Sequence, residues 1–414
     1  MMTAPVNMPA RHQPRLTSLL GPAFVAAIAY VDPGNVAANL SAGAEYGYLL
    51  LWVLVLANLM AALVQYLSAK LALVTGRSLT AELAQRLPRT PRWLYWGQAE
   101  IIVAATDIAE VIGGAVALHL LFGTPLLLSG IIVSAVSLTM LILQGGRTQR
   151  SFEAVIVGFL VVITIGFVSG LFVSGLDLGV MAQGLVPRFQ GTPTILLAAG
   201  MLGATVMPHA IYLHSGLVRD HGFSPEGEHG MRHHLRATKI DVGLALSVAG
   251  SVNIAMLCLA AQALRGVEGT DTIEGAHQAV TEHLGTGIGI IFAIGLLASG
   301  LASTSVGCYA GDMVMRDLLK FRVPLVLRRC ITLIPALIIL ASGAEPTWAL
   351  VLSQVVLSIG IPFALIPLAW LTARPGVMGR WANPTLLNIA SAIVSAAIVA
   401  LNIALIWLTL TGQA

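Results

Sequence analysis

Apolar runs of membrane-crossing length alternate with short polar or Gly/Pro-rich segments along nearly the whole chain. A crossing needs roughly 20 apolar residues. The runs predict eleven helices, near 18–45, 48–75, 93–119, 125–145, 152–175, 193–219, 240–264, 285–312, 327–343, 346–372 and 384–411. Two of the runs are broken. The first is interrupted by "DPGN" at 32–35, the sixth by Met207-Pro208-His209 after Gly200 and Gly203. Pro362 and Pro367 also sit in an apolar run, but only these two breaks gather ionisable or soft-ligand side chains. Matched interruptions five helices apart are the sequence mark of an inverted repeat with a site at the bilayer midplane. The expectation is an all-α polytopic membrane protein forming a single transmembrane domain over 1–414. It comprises a tail at 1–17, a first repeat over about 18–175, a second over about 193–372, and an eleventh helix over about 384–411 outside the repeat.

Composition supports the membrane reading. The 414 residues are 57% hydrophobic and only 10% charged, with a mean hydropathy of +0.87; soluble domains carry about 25% charge. The lipid bilayer is therefore a partner. No basic stripe accompanies aromatic residues, so nucleic acid is not expected as one, and nothing implies an obligatory protein partner or a resident cofactor. Placing the N-terminus in the cytoplasm and alternating puts 20 of the 22 Lys and Arg residues on the inner side, with only Arg188 and Arg265 outside. By the positive-inside rule the C-terminus is then extracytoplasmic. The polar N-terminal stretch reads as a cytoplasmic tail and not as a signal peptide. Cys258, Cys308 and Cys330 fall in apolar segments without metal-site spacing and read as small core residues.

The breaks carry the chemistry. Pro33 lacks an N–H and disfavours helix at Asp32, while Gly34 permits an unwound turn. Carbonyls such as that of Ala29 lose their i+4 donors. Non-helical backbone at this depth is tolerated only where it lines a cavity or is enclosed by protein, and a buried Asp32 demands a partner, a proton or a metal. Asp32, the amide oxygen of Asn35 and the released carbonyl are hard ligands for a cation. Met207 adds a thioether, which has little affinity for Ca²⁺ or Mg²⁺. Ahead of Pro208, the Ala204 carbonyl is released in the same way. This mixed set suits Mn²⁺, Fe²⁺ or Co²⁺.

"DPGN" and "GATVMPHAIYLHS" resemble the Nramp family of divalent-metal transporters, in particular its bacterial manganese transporters. "TDIAEVIGGAVAL" in the third helix and "LSQVVLSIGIPFALIPL" in the tenth are similar to the family too. The resemblance implies a LeuT-type fold and proton-coupled import of Mn²⁺ or Fe²⁺, with Co²⁺ and Cd²⁺ as further substrates, across a bacterial inner membrane. It implies Asp32, Asn35, Met207 and the carbonyls of Ala29 and Ala204 as metal ligands, joined by Gln354 in some states. Gly360 stands where many members carry Gln.

Proton coupling needs titratable groups. The third helix holds Glu100, Asp107 and Glu110, the last two on one face. His209 follows Met207, and Arg328 and Arg329 open the ninth helix. The resemblance assigns a proton path to Asp32, His209, Asp107, Glu110, Arg328 and Arg329; a structural ion pair between the acids and an arginine is the competing reading. "EHGMRHH" at 228–234 reads as a solvated basic loop, with metal binding by His229, His233 and His234 as the alternative. His209 and His214 are five apart, the wrong spacing for a zinc pair. Glu45, Asp241 and Asp312 lie near helix ends, where charge is tolerated. Other function classes fare worse. An amino-acid carrier on this fold wants bare helix amides for a carboxylate, which Asp32 would repel. A Mg²⁺ carrier has no use for sulfur. No G-x-S-x-G, H-E-x-x-H or Walker loop supports an intramembrane enzyme or ATP drive.

Overall fold

Helix follows helix, with no strand among the described residues of the computed structural model, which are 21–144, 149–174, 178–222, 227–267, 269–270, 272–321 and 323–411. The expected tail at 1–17 lies outside them. The first crossing is split: α1 (Pro22–Ala27) runs into a 3-10 turn (Ile28–Val31), and α2 (Pro33–Tyr46) resumes beyond Asp32. Then come α3 (Leu51–Thr75), the short α4 (Leu79–Arg86), α5 (Arg89–Phe122), α6 (Leu126–Gln144) and α7 (Gln149–Ser174). A short α8 (Leu178–Gln183) leads to the second split crossing, α9 (Thr192–Thr205) and α10 (Pro208–Asp220). The rest is α11 (Gly227–Ala263), α12 (Ile273–Leu284), α13 (Thr286–Leu319), α14 (Leu325–Ser342), α15 (Pro346–Ala373), α16 (Pro375–Met378) and α17 (Thr385–Leu410). Among the described residues nine helices are long and apolar enough to cross a membrane; the apolar pieces Pro22–Val31 and Leu126–Ile142 belong to the first and fourth crossings.

Reciprocal packing reveals the repeat. α5 packs on α13, its counterpart in the other half; α5 meets α15 as α13 meets α7; α2 meets α11 as α10 meets α3. That exchange is what an inverted five-plus-five arrangement requires, with α17 outside it. Small residues permit the central contact: a Cβ at Gly300 of α13 would sit 2.9 Å from the Glu110 carbonyl oxygen of α5. α5 ends at Gly123, whose φ of 66° suits a residue without a Cβ. On the perimeter, α6, α14 and α17 expose Ile131, Ile334, Ile338, Ile389 and Ile393, as lipid contact demands.

Several elements differ from expectation. α11 begins at Gly227, well before residue 240, so His229, His233 and His234 lie on a helix and not in a loop. Its polar start is rich in helix formers and carries the i,i+4 pair Glu228–Arg232 at 2.5 Å. Asp241 is buried: its two oxygens accept from the Gly21 and Ala23 amides at 3.0 Å, satisfying donors that the start of α1 leaves open. Cys330 is exposed on α14, whereas Cys258 and Cys308 are buried. Pro335, Pro362 and Pro367 do not interrupt their helices.

Candidate functional site

Both split crossings break by the same local rule. Asp32 (φ −73°, ψ 167°) and Met207 (φ −79°, ψ 128°) are extended, each directly ahead of the proline that starts the next helix. Proline crowds its predecessor out of helical conformation and donates nothing. Ala29 and Ala204 stand four residues ahead of Pro33 and Pro208, so neither carbonyl has its α-helical donor. Asp32 caps α2: its Oδ1 accepts from the Asn35 backbone N–H and from Asn35 Nδ2, both at 2.8 Å. The same Nδ2 donates to the Ala204 carbonyl at 2.7 Å. An amide nitrogen thus lies between a carboxylate oxygen of one break and a backbone oxygen of the other, where a cation bonded to both would lie.

Gln354 and Thr205 also approach this point. Gln354 Nε2 approaches Asp32 Oδ2 at only 3.5 Å, and Gln354 Oε1 has no hydrogen-bond partner among the described residues. Thr205 Oγ1 lies 3.5 Å from Asn35 Oδ1. Two glycines bring α15 against both breaks: a Cβ at Gly34 would overlap the Gln354 amide, and one at Gly203 would sit 2.7 Å from Ser358 Cβ. Asp32, Asn35, Ala204 and Met207 are wholly buried. An ionised Asp at this depth costs roughly 2.5–3.5 kcal/mol on insertion scales; two hydrogen bonds to a charged group, at about 1.5–3 kcal/mol each, offset that. Oδ1 is therefore satisfied, while Oδ2 keeps unused acceptor capacity. Among the described residues no three His, Cys, Asp or Glu side chains gather as metal ligands do. What the breaks offer is one carboxylate with neutral oxygens and a sulfur. Gly360 has no polar part here: a side chain there would collide with Ile102 and come close to Pro208.

A second polar cluster lies between α5, α13 and α14. Asp107 and Arg329 form a buried ion pair at 2.6 Å, and Arg329 also reaches Ser137 (3.2 Å) and Thr304 (3.4 Å). Glu110 lies beside them, with neither carboxyl oxygen in a well-formed hydrogen bond among the described residues. Arg328 pairs with Glu100 at 2.6 Å and donates to the Cys308 carbonyl at 3.2 Å. Gly311 makes room for its guanidinium, and Gly307 for the Glu110 carboxyl. His209 Nδ1 lies 3.3 Å from Thr106 Oγ1, on the residue before Asp107. The cluster therefore begins one residue beyond Pro208, and α5 also packs on the first break, where a Cβ at Gly113 would overlap Pro33. His214 takes a different neighbour, Gln65 at 2.7 Å, so the two histidines share no ligand.

The family model described as natural resistance-associated macrophage protein-like matches residues 23–408. The chain belongs to the Nramp family. A relative from Mycobacterium tuberculosis, named divalent metal cation transporter MntH, is 58% identical over 394 residues, covering 95% of this chain and 92% of that one. A Bacillus subtilis relative of the same name is 46% identical, covering 94% and 92%. The crystal structure of an Eremococcus coleocola manganese transporter, bound to an aromatic bis-isothiourea substituted compound, superposes with a TM-score of 0.87 at 29% identity, covering 94% of this chain and 86% of that one. A nucleobase-cation-symport-1 family transporter, at 15% identity, gives a TM-score of 0.59 and covers 95% and 93%, a likeness of fold alone. The chain is thus a multi-pass Nramp membrane protein of LeuT-type fold.

In this Nramp chain the structure brings Asp32, Asn35, Ala204 and Gln354 together and sets Met207 three residues beyond Ala204. It also supplies supports that sequence reasoning missed. The Tyr30 carbonyl accepts from Asn253 Nδ2 at 2.7 Å and the Val31 carbonyl from Ser299 Oγ at 2.5 Å, while Asn253 Oδ1 accepts from Asn39 at 3.0 Å. Gln65 bridges Tyr30 OH (2.5 Å) and His214. These contacts fix the unwound turn from α11, α13 and α3. The sequence signal for them is only a polar residue in an apolar run, at Gln65, Asn253 and Ser299.

Proposed function

We propose that the chain imports Mn²⁺ and Fe²⁺, with Co²⁺ and Cd²⁺ as further substrates, by proton-coupled alternating access across a bacterial inner membrane. The observation that carries the reading is the Asn35 amide bridging Asp32 Oδ1 and the Ala204 carbonyl, which puts oxygen donors from both breaks around one cation-sized position. Asp32, Asn35, Met207 and the Ala29 and Ala204 carbonyls would hold the ion. Binding would require the Asn35 amide to turn by half a revolution, so that Oδ1 replaces Nδ2. Gln354 would join through its unused Oε1 by a similar turn. Asp32 is the sole charged ligand, so once its proton has left, one positive charge remains for the site's dipoles to balance.

Inward movement is favoured electrically. A dication gains roughly 4.6 kcal/mol per 100 mV of inside-negative potential, twice the single-charge value. The orientation follows from the basic residues, with the N-terminus cytoplasmic and the C-terminus extracytoplasmic. The proton would leave Asp32 as metal binds and pass by His209 to Asp107 and Glu110, then toward Arg329 and Arg328 at the inner end.

Two expected results test the parts. With Met207→Ala, Mn²⁺ uptake into proteoliposomes should stay within about tenfold of normal while Ca²⁺ and Mg²⁺ become competitors, since sulfur is the donor these ions reject. Radiolabelled Mn²⁺ uptake in their presence measures this, and an unchanged competition profile would remove sulfur from the selectivity. In Glu110→Gln, metal-driven acidification of the vesicle interior should fall to background, while Mn²⁺ binding by calorimetry stays within about threefold of normal. Intact acidification in that variant, and also in His209→Ala, would clear both residues of a part in proton movement.

A further inference from the structure

A cavity opens where α3, α11 and the turn beyond α16 meet. Its volume is about 350 Å³, and five basic side chains line it: Lys70, Arg232, Arg236, Lys239 and Arg380. One acid is near: Glu228 pairs with Arg232 at 2.5 Å and also with Arg380. Lys70, Arg236 and Lys239 are in no ion pair among the described residues. Lys70 is only 4% exposed, and its ammonium donates to a neutral amide oxygen, Asn383 Oδ1, at 2.7 Å. A buried ammonium without an anion is unfavourable. Among the described residues, Glu228 is the one acid paired with the five bases that line the cavity.

The chemistry that fits is a phosphate, with several acceptor oxygens for lysine and arginine donors. Its surroundings say which kind. Immediately past Lys239, α11 exposes Ile240 and Leu244; immediately past Pro384, α17 exposes Leu386 and Ile389. Lys239 Nζ lies 5.4 Å from the centre of the Tyr66 ring, and Arg380 5.5 Å from that of Trp381, a pairing of aromatic and basic groups common at the membrane–water boundary. A free phosphate gains nothing from the apolar surfaces that begin at the cavity edge. A lipid gains from both.

We propose that this cavity holds the phosphate headgroup of an anionic phospholipid, with acyl chains along Ile240 and Leu244 of α11 and Leu386 and Ile389 of α17. Basic pockets between crossing helices are suited to such headgroups. In the orientation proposed above this is the cytoplasmic leaflet, and that assignment alone rests on the proposed function. The headgroup ties α3 and α11 to the connection between α15 and α17, an attachment the protein itself makes through Lys70 and Asn383.

Native mass spectrometry of the full chain tests this, after delipidation and titration with dioleoyl-phosphatidylglycerol or dioleoyl-phosphatidylcholine. Wild type should retain the anionic lipid at concentrations on the order of twentyfold lower than Arg236→Gln/Lys239→Gln, the effect of two charges at a membrane surface. The charge-preserving Arg236→Lys/Lys239→Arg pair should bind like wild type, and millimolar inorganic phosphate should not compete. Asp32→Ala should retain the lipid unchanged, so the metal-site reading and this one fail separately. Equal retention by the Gln pair, equal affinity for phosphatidylcholine, or displacement by inorganic phosphate would each overturn the proposal.

Discussion

Replacing Asp32 with asparagine is expected to lower Mn²⁺ uptake at least about a hundredfold in proteoliposomes. The attraction between a dication and a carboxylate in contact amounts to several kcal/mol even at an effective dielectric near 20, and each 1.4 kcal/mol is tenfold. Of the two buried acids on α5 nearest the breaks, Asp107 is held by Arg329 and Glu110 lies with that pair, so neither is free to take its place. The asparagine form is the informative one. Asp32 also caps α2 through the Asn35 N–H, a contact an asparagine oxygen can keep and an alanine loses at about 1 kcal/mol. Monodisperse, folded Asp32→Asn protein with near-normal uptake would show that the charge is not a ligand.

The second large effect is on stability. Arg329→Met is expected to destabilise the protein by about 3–5 kcal/mol, because it strands a buried carboxylate without its cation. Arg329 has no exposed surface, Asp107 almost none, and Glu110 sits on the same cluster. Thermal unfolding in detergent should register a drop on the order of 10 °C. Adding Asp107→Asn to Arg329→Met should recover much of the loss, since the stranded charge goes with it. Proton influx separates the two readings of this pair. A purely structural ion pair predicts that the stable double variant still acidifies vesicles; a proton path predicts that it does not. A single variant as stable as wild type would deny that the pair holds α5 to α14.

The crossings and both breaks were legible in the sequence because each depends on local rules. A run of apolar residues specifies its own helix in lipid, and Asp32-Pro33 and Met207-Pro208 each specify one extended residue by the sterics of proline alone, whereas Gly34, expected to open an unwound turn, lies within α2 and makes room for Gln354 instead. Asn35 was legible as a donor, but not as the group lying between Asp32 and Ala204, which joins residues 169 positions apart. The same holds for Asn253 on Tyr30, Ser299 on Val31 and Asp241 on the start of α1. Each satisfies a backbone group that the sequence marks as orphaned without saying from where the partner comes. The short helices α4, α8, α12 and α16 lie outside the expected crossings because each is far shorter than the roughly 20 apolar residues a crossing needs, although Ser78 and Thr272 are sound N-caps for two of them. The polar start of α11 escaped for the opposite reason. It is helical by propensity and carries no apolar run.

Anomalous diffraction from crystals soaked in Mn²⁺, collected at the manganese edge, tests the central claim most directly. The account predicts one strong peak between Asp32 and the Ala204 carbonyl, with the Met207 sulfur in direct contact and the Asn35 amide turned to present its oxygen. A peak elsewhere, for example beside His229 and His233 on α11, with the Asn35 nitrogen still bridging the two breaks, would contradict it.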